Sequence, residues 1–108
     1  MGFFKNLMKN AMSIKYGTVT DSDFGTGYVV AAHKDGAVAL GFMVKGKEDY
    51  VFVKNDINEI SSLGSNVSFA VDGTLKVGNK YRIVFKDGRS AIICIVLAEC
   101  SKVESIIY

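Results

Sequence analysis

A mainly β, antiparallel barrel or sandwich is predicted by three features of this chain. Short runs rich in Val, Ile, Phe and Tyr alternate with small or polar residues, the period of half-buried strands. Asp-Gly pairs at 35–36, 72–73 and 87–88 punctuate those runs, and Asp-Gly between apolar segments is a strong hairpin signal. Eleven glycines and no proline suit a sheet whose turns rely on glycine. The turn spacing gives about eight short strands. At 108 residues there is room for one domain with a real core. The expected division is an amphipathic helix over residues 1–15 and a single antiparallel β domain with a terminal helix over 16–108.

At the N-terminus, Phe3, Phe4, Leu7, Met8, Ala11 and Met12 fall on one helical stripe. Lys5, Asn6, Lys9, Asn10 and Ser13 fill the opposite side, and no acid occurs in the first twenty residues. Such a helix either covers an open end of its own sheet or contacts a partner or a membrane interface. Met1-Gly2 suggests myristoylation, but Asn6 stands where Ser or Thr is wanted.

Between Tyr16 and Thr26 only Thr18-Val19-Thr20 reads as a short strand, and Asp21 to Gly27 reads as a solvated turn. An EF-hand is excluded there because the third side-chain ligand and the distal Glu are missing. Gly27 to His33 and Ala37 to Val44 form a hairpin around Asp35-Gly36. In its second arm Val38, Leu40, Phe42 and Val44 are the expected core face. Ala37, Ala39 and Gly41 are expected to let another backbone approach. Tyr50 to Val53 alternates as a strand, and 57–64 reads as a short, mostly polar segment. Val67, Phe69 and Val71 make a period-2 strand, answered briefly by Thr74 to Val77, with Gly78-Asn79 as a break.

The sharpest element is the hairpin from Lys80 to Val96. A two-residue Asp87-Gly88 loop would set Lys86 opposite Arg89, a destabilising like-charge pair. A three-residue loop over Lys86-Asp87-Gly88, with Gly88 in the left-handed region, pairs Phe85 with Arg89 instead. That register sends Tyr81, Ile83, Phe85, Ala91, Ile93 and Ile95 to the core. Lys80, Arg82, Val84, Lys86, Ser90, Ile92 and Cys94 then share the other face. A short helix is expected over Ala98–Tyr108, with Val103, Ile106 and Ile107 on its apolar side.

Catalytic signatures are missing. His33 is the single histidine, and there is no G-x-S-x-G, no P-loop and no Cys/His metal spacing. The expectation is a non-enzyme without metal or cofactor. Cys94 and Cys100 read as reduced packing thiols of a cytoplasmic protein, and no apolar run is long enough to span a bilayer.

From Tyr50 onward the runs YVFVKNDINEI, KYRIVFKDGRSAIICIV and KVESIIY resemble PH-like domains of small bacterial proteins. The resemblance rests on Phe85-Lys86-Asp87-Gly88 before a terminal helix with Val103, Ile106 and Ile107, and it covers a little over half the chain. It implies a barrel whose end the helix plugs. The terminal helix is short for that family and the N-terminal helix has no counterpart. Headgroup-binding members cluster Lys and Arg at the first hairpin loop, where only Lys34 stands here.

The expected function is a non-catalytic interaction module that binds a protein partner or self-associates through Phe3, Phe4, Leu7, Met8 and Met12. The alternative is a peripheral membrane position, or nucleic-acid binding through the basic residues of that helix or of the 76–89 hairpin: Lys76, Lys80, Arg82, Lys86 and Arg89. Net charge is only +2, and Tyr81 and Phe85 are turned away from those cations, so nucleic acid is disfavoured. The lysines there read as ordinary solvated guards of an edge strand.

Overall fold

The computed structural model describes residues 15–108. The expected N-terminal helix, with Phe3, Phe4, Leu7, Met8 and Met12, lies outside the described residues; Lys15, assigned above to its end, instead opens the first strand. Seven strands follow in chain order: β1 (Lys15–Thr20), β2 (Gly27–Lys34), β3 (Ala37–Val44), β4 (Tyr50–Phe52), β5 (Ile57–Val71), β6 (Thr74–Phe85) and β7 (Ser90–Val96). Short 3-10 turns occupy Lys54–Asp56 and Leu97–Glu99, and the helix α1 spans Cys100–Ile107. The eight short strands expected are thus seven, two of them long. Residues 57–64 are the first half of β5 rather than a polar connection, and Gly78-Asn79 lies inside β6.

All seven strands join one antiparallel sheet in the order β4-β3-β2-β1-β7-β6-β5. Two meanders, β1–β4 and β5–β7, are therefore welded through the β1–β7 pair. The sheet curls around an apolar core whose buried side chains come from every strand except β5, with Ile57 and Ile60 of β5 packed against it and α1 at its end. No backbone pairing joins β4 to β5 among the described residues, so the barrel is open rather than closed. Side chains span that gap instead: Phe52 of β4 packs on Phe85 of β6 with ring centroids 4.2 Å apart.

The three Asp-Gly turns are of two kinds. Asp35-Gly36 and Asp72-Gly73 each have both φ angles positive (53 and 82°, 52 and 78°), the two-residue turn that suits strand twist. At 86–88 only Gly88 is positive, at 93°, and the Phe85 N–H donates to Arg89 O at 2.8 Å. The like-charge argument accounts for the difference, since Lys34 faces Ala37 and Val71 faces Thr74 without repulsion. Tyr81, Ile83, Phe85, Ala91, Ile93 and Ile95 are all buried in the core, as that register requires.

Three core expectations change. Val38 is 58% exposed because it lies at the end of β3, beyond the curl, whereas Leu40, Phe42 and Val44 are buried. A Cβ at Gly41 would meet Val30 Cγ2 at 3.0 Å, Ala32 Cβ at 3.1 Å and Val30 O at 3.4 Å, so side chains of β2 crowd this position more tightly than its backbone does. The segment read as a solvated turn carries the most central aromatic of the core. Phe24 is fully buried and lies edge-on to Phe42, Tyr50, Phe52 and Phe85 at 4.9–5.8 Å. Ser22 holds it there by donating to Gly25 O and accepting the Phe24 and Gly25 N–H groups at 3.1 and 3.0 Å. Asp23 adds a bond to the Ser90 N–H at 2.8 Å, and the Arg89 guanidinium covers the Phe24 ring at 4.3 Å.

The terminal helix lies where the apolar spacing predicts it. Cys100, Val103 and Ile107 enter the core, and the Tyr81 hydroxyl donates to Glu104 Oε2 at 2.5 Å, tying α1 to β6. Burial and that bond hold the Tyr81 phenol well above its usual range, so it stays protonated as a donor. Both cysteines are free and buried, and burial pushes the Cys94 thiol up.

Phe24→Ala should cost about 3–5 kcal/mol in a denaturant titration, as for a fully buried aromatic that also joins strands. A loss below about 1 kcal/mol would contradict a central place in the core.

Candidate functional site

β6 serves two surfaces. From Gly78 to Val84 it pairs with both β5 and β7; from Thr74 to Val77 it pairs with β5 alone, forming a two-stranded arm. The arm bends where backbones touch: a Cβ at Gly78 would fall 1.7 Å from Ile95 O, so only glycine permits this close approach. β5 bends with it through irregularities at Ser62/Gly64 and Gly64/Val67, and Asn66 takes a positive φ of 54°. Each extra residue there bends and twists the strand.

The bend carries the arm back over the sheet's outer face. Val29 points to the core, so its neighbours Tyr28 and Val30 point outward, as does Lys15 opposite Val30. Asp72, at the arm's tip, reaches both outward groups. Its Oδ2 accepts from Lys15 Nζ at 2.7 Å and its Oδ1 from the Tyr28 hydroxyl at 2.6 Å. The Lys15 ammonium also lies 4.1 Å from the Tyr28 ring centre. These bonds join residues 57 and 44 positions apart in the chain. The Lys15 and Tyr28 bonds hold the Asp72 carboxyl below its usual value, and the same bonds raise Lys15 and Tyr28.

Between the roofing arm and the outer sheet face runs an open trench of about 680 Å³. Its floor and flanks bear the hydroxyls of Thr18, Thr20 and Thr26 with Tyr28 and Met43. The arm contributes Phe69, Ala70 and Asp72, and Lys45 and Asp49 stand at one end. Phe69 faces the sheet yet stays only half-buried, as does Met43. A second open groove of about 530 Å³, beside α1, is lined by Tyr16, Val38 and Ile106 with Lys54 and Lys102.

The basic residues expected as one surface fall into two groups: Lys86 and Arg89 line a groove with Lys34, where Asp56 and Asp87 offset them, and Lys80 and Arg82 are not part of it. Lys80 and Arg82 lie on the outer face of β6, opposite Cys94 and Ile92. Arg89 sits at the far end over Phe24 and is paired with Asp87 at 2.7 Å. Lys86 donates its backbone N–H to Asp56 O, in the loop after β4. β6 is an interior strand, so its lysines do not guard an edge. Tyr81 and Phe85 are buried, which leaves no stacking aromatic from this hairpin beside those cations. Sequence reading missed the trench altogether, because its walls come from β1, β2, β3 and the arm and carry no local pattern. A Gly inside a strand pattern was the one available sign.

Among the described residues no group of three His, Cys, Asp or Glu side chains is arranged to hold a metal, and no helix is long and apolar enough to cross a membrane. Comparison with known proteins finds no matching family model, no matching curated protein and no matching solved structure.

Because Asp72 is depressed in the folded state, its bonds contribute fully above the ordinary carboxylate value of 3.8 and are lost as pH falls through the lower folded value. On the alkaline side they persist up to the ordinary Tyr value of 10.0 and fade as pH rises through the raised folded values. Asp72→Ala at neutral pH should speed hydrogen exchange of the Phe69 and Lys76 amides while leaving β7 amides protected. Unchanged exchange in the arm would mean that these bonds do not hold it down.

Proposed function

We propose that this chain is a non-catalytic interaction module of PH-like build that receives an extended segment of a protein partner in the trench. The resemblance to PH-like domains is supported by the two welded meanders and by the helix that follows the last strand and sends Val103 and Ile107 into the core. The observation that carries the binding reading is the half-buried Phe69. A ribbon folded over its own sheet gains stability by burying its underside, yet here the apolar underside stays open beside Met43. A trench of about 680 Å³ lies within the range of ligand sites, with few charges and several hydroxyls to fix a backbone.

The non-catalytic part of the reading rests on the titratable groups. Those displaced in exposed positions are partners in ion pairs, such as Asp72 with Lys15 and Asp87 with Arg89, or, as Tyr28, hydrogen-bonded to a member of one. Asp72 lies in the trench wall, but both its oxygens are already engaged, which leaves it poorly suited as an acid or base.

Peptides selected from a random display library should shift the backbone amides of Thr18, Thr20, Thr26 and Phe69 in an NMR titration. Met43→Lys should abolish those shifts without unfolding the domain. Peptides that perturb only other regions, or that bind the Met43→Lys protein equally well, would refute the trench. Repeating the titration after removal of residues 1–14 separates this site from the Phe3/Phe4/Leu7/Met8/Met12 contact expected from the sequence. Binding lost only with that segment would favour the helix.

A further inference from the structure

We infer that the free edge of the arm, Val67–Val71 in β5, is a homodimer interface, pairing antiparallel with the same stretch of a second copy. β5 is the last strand of the sheet among the described residues, and its outer edge is unpaired there. The two-residue turn makes Val71 and Thr74 a hydrogen-bonded pair, and bonding then alternates. Val67, Phe69 and Val71 therefore spend their backbone groups on β6, while the N–H and C=O groups of Ser68 and Ala70 point outward. Both residues are exposed, and beside them on the same face Leu75 and Val77 are 72% and 45% exposed.

Charge selects the occupant. From Val67 to Val71 β5 carries no charged residue, no proline and no bulge, the devices that commonly blunt an edge. The other edge, β4, is three residues long and flanked by Lys47, Glu48, Asp49 and Lys54. A neutral edge meets itself without repulsion and offers no purchase to a charged partner. A twofold axis at Phe69 sets Ser68 against Ala70 of the second copy in both directions, completing four backbone hydrogen bonds. The two Phe69 rings then meet as a close non-hydrogen-bonded pair, and the nearest cations, the two Lys76 side chains, stand roughly 14 Å apart across three strand spacings, beyond the screening length. This pairing needs no trench ligand and is tested without one.

Sedimentation velocity of the full chain should give a concentration-dependent dimer, and Ala70→Pro, which removes only an outward N–H, should give a monomer with unchanged circular dichroism. Should that variant fail to fold, register is read from paired charges at exposed sites. Ser68→Lys/Ala70→Lys sets like charges across the axis and should be monomeric, while Ser68→Glu/Ala70→Lys sets opposite charges and should dimerise. A wild-type monomer at the highest soluble concentration, or a dimer indifferent to both charge pairs, would overturn the proposal.

Discussion

The contact between Gly78 and the backbone of Ile95 governs the outer half of this molecule. A Cβ there would sit inside Ile95 O, so the close approach of β6 to β7 at this point exists only because residue 78 has none. On one side of that point β6 is an interior strand that sends Tyr81, Ile83 and Phe85 into the core. On the other side it becomes one half of an arm that departs from β7. A free two-stranded ribbon is marginal in water. This one is held by Asp72, whose two oxygens engage Lys15 and Tyr28 on strands at the centre of the sheet. Trench and free edge both follow from that bend: the underside of the arm roofs the sheet, and its outer backbone is left without a neighbour.

The inner half rests on a different device. An open sheet needs something to seal the gap between its first and last strands, and here aromatic side chains do it. Phe24 enters from a loop rather than a strand and touches rings from β3, β4 and β6 together. Edge-on aromatic pairs add to burial, so a compact cluster can replace a missing ladder of backbone bonds. Arg89 and Asp87 close that end, which takes Arg89 out of the basic surface that the sequence suggested.

Local chemistry was legible in the sequence wherever one interaction decided between two alternatives. Repulsion between Lys86 and Arg89 was enough to choose the hairpin register, and apolar spacing was enough to place α1. Phe24 was hidden because one aromatic between Asp23 and Gly25 has no periodicity and its neighbours signal a turn. The first half of β5 was hidden because bulges break the alternation that marks a strand. Gly78 was visible but read as punctuation, since close approach of two backbones leaves the same mark as a break. The Lys15–Asp72–Tyr28 bonds had no sequence signal, for they depend on a bend that brings distant residues together.

The folded-back arm can be examined directly in solution by nuclear Overhauser contacts. Bonded as they are, the Tyr28 ring protons and the Asp72 β-protons should give a clear cross-peak at neutral pH, alongside the β1–β2 cross-strand peaks. Intact cross-strand peaks without any Tyr28–Asp72 contact would mean that the arm projects into solvent, and the trench would not exist.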